Sequence, residues 1–139
     1  MENTDFNLER FLSAQQCSYD MALQEIRAGH KRTHWIWYVF PQLLGLGCSI
    51  NSRYYGIRGR DEAVAYLRHP LLGARLREAT MALLQHRGRS AKGMLGGIDA
   101  IKVRSCMTLF DAVSPDDIFR DVLDAFYDGQ ADRETLERI

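Results

Sequence analysis

Two groups of residues in this 139-residue chain have the types and spacing to do chemistry. The first is Lys31-Arg32-Thr33-His34-Trp35-Ile36-Trp37-Tyr38-Val39-Phe40-Pro41-Gln42, which holds both tryptophans. Aromatic area is costly to leave in water, so most of this segment must be buried. Its indole N–H groups, imidazole and amide then need partners. On a helix, His34, Trp37 and Tyr38 share one side, with Trp35 and Val39 on another. Such a segment makes either a hub where short helices meet or a stacking wall for a flat ring. In the second case His34 or Gln42 would be the polar partner. Spacing alone favours the hub.

The second group is Asp99, Lys102, Ser105, Cys106 and Thr108, set among apolar Ile101, Val103, Met107, Leu109 and Phe110. Polar residues in an apolar helix must be satisfied. One solution is an Asp99–Lys102 pair, with the hydroxyls bonding their own helix backbone. The other is a buried lysine beside a hydroxyl, which could hold an anion or act as a base with a lowered pKa. Cys106, in mid-helix, reads as a small core residue.

Other motifs are weaker. Gly45-Leu46-Gly47-Cys48-Ser49 could offer backbone N–H groups to a phosphate, with Ser49 beside them. It lacks the Gly-Lys-Ser/Thr ending of a triphosphate loop, and a plain turn is the better reading. His30 and His34 have the spacing of helix-borne metal ligands, but Gly29 and a cap at Thr33 put a helix boundary between them. No metal and no cofactor is assigned.

Charge sharpens the reading. Eighteen Lys/Arg balance eighteen Asp/Glu, which argues against a general nucleic-acid binder. The distribution is uneven. Fourteen cations lie between Arg27 and Arg104, against only Asp61, Glu62, Glu78 and Asp99. Both ends are acidic. They could neutralise the middle by packing on it, or part of the basic surplus could converge on an anionic ligand. Cys17, Cys48 and Cys106 are widely spaced and form no Cys-x-x-Cys pair, as in a reduced cytosolic protein. No apolar run reaches membrane length, and Met1 to Phe6 lacks the pattern of an export signal.

The elements that must position these groups are helical nearly throughout. A first helix is expected over Leu8 to Gln15 and a second through Tyr19, Ala22, Leu23 and Ile26 to Gly29. Thr33 would cap a short helix ending at Pro41, with a strand as the alternative for so aromatic a run. Gly45 to Ser49 reads as loop. Asp61 would cap a helix through Leu67, and Pro70 would open another that ends at Gly88. Ser90 to Gly97 is a basic connection with room for one helical turn. A helix from about Asp99 to Ala112 follows. Ser114-Pro115-Asp116-Asp117 starts one that stops at Gly129, and Asp132 caps the last. The expectation is a single all-α domain, 1–139, of seven or eight short helices.

The chain also resembles a known family. Phe11-Leu12-x-Ala14-Gln15, Lys31-x-x-His34-Trp35-x-Trp37-x-x-Phe40-Pro41-Gln42-Leu43-x-Gly45-Leu46-Gly47, Ser49 and Tyr55-x-Ile57 carry the resemblance. So do Glu62-Ala63-x-x-Tyr66-Leu67-x-His69-Pro70-x-Leu72-Gly73-x-Arg75-Leu76 and Asp99-x-x-Lys102-x-x-Ser105-Cys106-Met107-Thr108-Leu109-Phe110. The family groups bacterial and fungal proteins as the domain of unknown function DUF1810. Similar proteins sometimes carry the label calpastatin, which this Pro-poor, globular composition does not support. The resemblance implies a compact, mainly helical fold and no established activity. Met94-Leu95-Gly96-Gly97-Ile98 lacks the aromatic and proline expected before the Lys-x-x-Ser helix, so that loop is given no ligand role.

The leading expectation is a small cytoplasmic protein with one pocket for a small anionic or nucleotide-like ligand. Lys31, His34, Trp35, Trp37 and Gln42 would line one side, with Lys102 and Ser105 facing them and Ser49 nearby. If the protein is an enzyme, His34 is the acid or base and Lys102 the electrostatic stabiliser. The rivals are a non-catalytic interaction module or homo-oligomer and, more weakly, a single-stranded nucleic-acid binder.

Overall fold

The structure is a computed structural model that describes residues 6–139. The reading of the export signal rests mainly on Met1 to Asp5 and so lies outside the described residues. The fold is all-α. Helix α1 (Glu9–Ala28) presents Phe11, Gln15, Tyr19, Ala22, Leu23 and Ile26 inward. It is one helix, not the expected two. Gln16, Cys17 and Ser18 are polar, but they fall on the outer side, and no glycine or proline interrupts them. Gly29 ends it in the left-handed conformation (φ 74°), its N–H returned to the carbonyls of Glu25 and Ile26.

Helix α2 (Ile36–Val39) is a single turn, and α3 (Ile50–Tyr54) is another, in a stretch to which the sequence reading assigned no element. Between them the chain forms a two-bond parallel bridge. Leu44 N–H donates to Ile57 O at 2.8 Å and Ile57 N–H to Gln42 O at 2.9 Å. The aromatic run itself is not a strand. Helices α4 (Arg60–Arg68) and α5 (Pro70–Leu84) meet at a tight corner. Pro70 takes the first helical position as expected, and His69 is its cap. Its Nδ1 accepts from the Leu71 and Leu72 N–H groups, both at 3.2 Å. Asp61 is not a cap; α4 begins at Arg60, with Gly59 before it.

Helix α6 (Ala91–Leu95) is capped by Ser90, and α7 (Gly97–Val113) follows. Val103, Cys106, Met107, Leu109 and Phe110 of α7 are all fully buried, which makes it the central helix. Helix α8 (Phe119–Phe126) turns Phe119, Val122 and Leu123 inward. It starts later than expected, because Ser114 and Asp117 bond to each other and Asp117 pairs with Arg77. Asp132 caps α9 (Arg133–Arg138) through the Thr135 N–H, as its sequence position implies.

A run of rings joins the layers. Phe11 meets Tyr66 edge-on at 5.0 Å, Tyr66 meets Phe110 at 5.5 Å, and Phe110 meets Phe119 at 5.8 Å. These four rings tie α1, α4, α7 and α8 into one core. Beside them lies a buried ion pair, Arg10 Nη1 to Glu62 Oε2 at 2.8 Å. Arg10 also donates to the carbonyls of Phe6, Asn7, Tyr54 and Gly56. One arginine therefore fastens the start of α1 to the end of α3.

Part of the basic middle is absorbed by backbone carbonyls rather than by the acidic ends. Arg53, Arg60, Arg89 and Arg104 donate to carbonyls of Cys48, Ala112, Gly29, and Gln130 with Ala131. Guanidinium forks suit this use because carbonyls at helix ends and turns have no intrahelical donor. Of the expected neutralisation by the C-terminal acids, the clearest instance is Arg77 with Asp117 at 3.0 Å.

Candidate functional site

The chain between α1 and α2 is organised by one carboxylate. Glu25 projects from α1 and is 7% exposed. It accepts from the Arg32 and Thr33 N–H groups at 2.8 and 3.0 Å, from Thr33 Oγ1 at 2.7 Å and from Trp35 Nε1 at 2.9 Å. Burial pushes its carboxyl pKa up. The hydrogen bonds from Thr33, Arg32 and Trp35 more than offset that and bring it to about 2. Thr33 therefore serves Glu25 rather than capping α2, whose cap position is Trp35.

Lys31 is bound into the same corner. Its ammonium meets Asp99 at 2.8 Å and the Thr33 carbonyl at 2.6 Å, and lies 4.9 Å from the Trp35 ring. The expected Asp99 pair thus forms with Lys31 rather than with Lys102. The result is a lock between the α1–α2 connection and α7. Trp35, with its face against Lys31 and its N–H on Glu25, belongs to this lock.

With Asp99 occupied, Lys102 faces elsewhere. Its ammonium lies 5.4 Å from the Trp37 ring centroid. The two residues flank a slot between α2, α3 and α7. The slot is lined by Ile36, Trp37, Phe40, Gln42, Asn51, Ser52, Tyr55, Gly56 and Lys102. Its accessible volume is about 10 Å³, room for about one water molecule. Among the described residues, Lys102 has no carboxylate or carbonyl partner. Among the described residues the buried Trp37 indole N–H has no hydrogen-bond partner either.

The Gly45–Ser49 loop packs against α3. Ser49 caps α3, accepting from the Ser52 N–H at 3.1 Å and donating to Ser52 Oγ at 2.9 Å. Gly47 packs so closely that a Cβ there would lie 2.6 Å from Ser52 Oγ and 3.5 Å from Gln42 Nε2. The glycine is there because α3 approaches it.

The sequence-predicted residues therefore divide. The structure brings Trp37, Gln42 and Lys102 to one slot. Lys31 and Trp35 sit in the Glu25–Asp99 lock beside it. Ser105 is buried and returns its hydroxyl to Ile101 O at 3.3 Å within its own helix. His34 is exposed and does not line the slot. Asn51, Ser52 and Tyr55 line it unforeseen, because no element was assigned to the α3 residues. Glu25 was missed as well. Its signal was an acidic residue on the otherwise apolar Ala22, Leu23 and Ile26 side of α1.

Residues 5–139 match the family described as Protein of unknown function (DUF1810). The chain belongs to that family. A crystal structure of the conserved hypothetical protein Rv1873 from Mycobacterium tuberculosis is similar to it. That match has a TM-score of 0.95 and 44% identity, and covers 97% of each chain. No curated protein matches the chain. Membership brings no activity with it. No helix among the described residues is long and apolar enough to cross a membrane.

Proposed function

We propose that this protein binds a small anionic group in the slot between Trp37 and Lys102. The observation that carries the reading is the buried Trp37 indole N–H, without a partner among the described residues, in a ring 5.4 Å from the Lys102 ammonium. A buried donor left unmade costs about 1–3 kcal/mol, so such a group calls for an acceptor. A carboxylate or phosphate oxygen entering the slot would pair with the ammonium, and would reach the N–H, now shut off from solvent, after a small turn of the Trp37 ring. The side-chain amides of Gln42 and Asn51, which also line the slot, can add donors.

Size limits the occupant. Drug-sized ligands take pockets of roughly 300–1,000 Å³. The slot encloses only about 10 Å³, room for about one water molecule, so an entering carboxylate or phosphate places a single oxygen there. The reading is one of binding. The imidazole of His34 is outside the slot, and no carboxylate lines it, so its walls supply donors and a cation rather than an acid–base pair.

Titration with acetate, glutarate and inorganic phosphate, followed by tryptophan fluorescence and melting temperature, tests this. Binding should raise the melting temperature by mass action and change the Trp37 emission. Lys102→Met keeps the stem and removes the charge, and Trp37→Phe keeps a ring and removes the donor. Each should weaken binding roughly tenfold or more. Binding that is undiminished in both variants would place the anion elsewhere.

A further inference from the structure

Residues 45–53, which carry most of α3, are fastened at their ends and loose between them. At the base, Leu44 and Ile57 close the parallel bridge. At the far end, Arg10 holds the Tyr54 and Gly56 carbonyls at 2.8 and 3.0 Å. Among the described residues, every hydrogen bond made by residues 45–53 stays between Cys48 and Tyr55, and no ion pair ties them to the rest of the chain. Leu46 packs on the core and Ser52 is buried, whereas Cys48, Ser49, Ile50, Asn51 and Arg53 are exposed. Space lies on both faces of α3. Asn51 and Ser52 wall the slot, and Arg53 with Tyr54 lines a second cavity of about 240 Å³. At about 3.6 residues per turn these two pairs fall on opposite sides of the helix.

We infer that residues 45–53 form a lid over the slot, which swings outward on its Arg10-held end. The closed form admits no ligand body, since the slot has room for about one water and the Trp37 indole N–H is shut off from solvent. Opening breaks no hydrogen bond or ion pair to the rest of the described chain and uncovers chiefly Leu46 and Ser52. Segments with so few outside contacts open locally at a fraction of the global unfolding free energy. Opening also gives the Trp37 N–H a water to donate to, which offsets part of the cost. Glycines serve the moving end. Gly45 takes a left-handed φ of 100°, and Gly47 lets Ser52 lie where a Cβ would be 2.6 Å from its hydroxyl. Lids of this kind admit a ligand and then close water out around it. What this lid admits rests on the anion-binding reading of the slot; its movement does not.

Indole N–H exchange into D₂O, followed by proton NMR on the full chain without ligand, tests the movement. The two tryptophans give one signal each. Trp35 Nε1 donates to Glu25 at 2.9 Å in the core, so its exchange tracks opening of the core itself. The Trp37 signal should exchange at least tenfold faster than the Trp35 signal. Gly47→Ala sets a methyl 2.6 Å from Ser52 Oγ and 2.9 Å from Ser52 Cβ, which wedges α3 away from the loop. It should speed Trp37 exchange by roughly a further tenfold and leave Trp35 exchange unchanged. The amides of Ser52 to Tyr55 should speed up with it. Trp37 exchange as slow as that of Trp35 in both proteins would overturn the lid. Fast Trp37 exchange that Gly47→Ala leaves unaltered would mean that the indole moves alone, and would overturn it too. A lid that moves as described while acetate, glutarate and inorganic phosphate all fail to slow Trp37 exchange would uphold this inference and refute the anion-binding reading.

Discussion

Replacing Glu25 by Gln is the sharpest probe of how the site is held. In the folded chain the carboxylate accepts four hydrogen bonds that reach from Arg32 to Trp35. They lower its pKa from 4.5 to about 2. At about 1.4 kcal/mol per tenfold change, that lowering corresponds to about 3 kcal/mol of folding stability at neutral pH. The direction follows from the sign of the shift. A depressed carboxyl stabilises the fold above its unfolded pKa, and the contribution falls away as pH drops from about 4.5 through about 2. At pH 3 about 2 kcal/mol of it should be gone.

Other carboxylates titrate in the same range, so a wild-type acid profile alone is ambiguous. The difference between wild type and Glu25→Gln isolates the one group. A glutamine can accept at one oxygen but sets an NH₂ against the remaining donors. Urea unfolding should therefore show the variant less stable by about 3 kcal/mol at pH 7, narrowing to about 1 kcal/mol at pH 3. Trp35 fluorescence reports the corner directly, since its indole is one of the four donors. A penalty that stays constant between pH 7 and pH 3 would refute the argument that Glu25 is held ionised by these bonds.

Three further outcomes are expected. Arg10→Ala removes the main partner of Glu62, which is fully buried, and should cost about 3–5 kcal/mol in urea unfolding; a loss under 1 kcal/mol would contradict the ion-pair account. Gly73→Ala would place a Cβ 2.2 Å from the Leu67 carbonyl oxygen, forcing the α4–α5 corner apart at a cost of about 3 kcal/mol, seen as a lower melting temperature. Of the three thiols, Cys17 and Cys48 are exposed, whereas Cys106 is fully buried and its pKa is pushed up by that burial. Two thiols should react with a disulfide reagent in the native protein and the third only on unfolding; three fast thiols would show that α7 opens readily.

Local signals reached far along this chain. The all-α class, the stops at Gly29 and Gly129, Pro70 at a helix start and the Asp132 cap all follow from periodicity and end chemistry, which act within one or two turns. The same local rules missed α3, a single turn whose cap, Ser49, stands inside a glycine-rich loop. They also split α1 at a polar stretch that only faces solvent. Trp37, Gln42 and Lys102 were legible as chemistry because their types are unusual in an apolar setting. Their separation from Lys31, Trp35, His34 and Ser105 was not legible.

That separation was decided by competition in three dimensions. Lys31 and Lys102 are equally plausible partners for Asp99 by type, and only Lys102 is near it in sequence. The tertiary fold places Lys31 against Asp99 instead, because Glu25 draws Arg32, Thr33 and Trp35 onto α1 and carries Lys31 to the start of α7. Once that pair forms, Lys102 is left beside Trp37, and the slot acquires its charge. The sequence by itself determined which residues must be buried and which helices carry them. Which cation is satisfied and which remains available depends on distances between segments about seventy residues apart, and only the packed structure sets those.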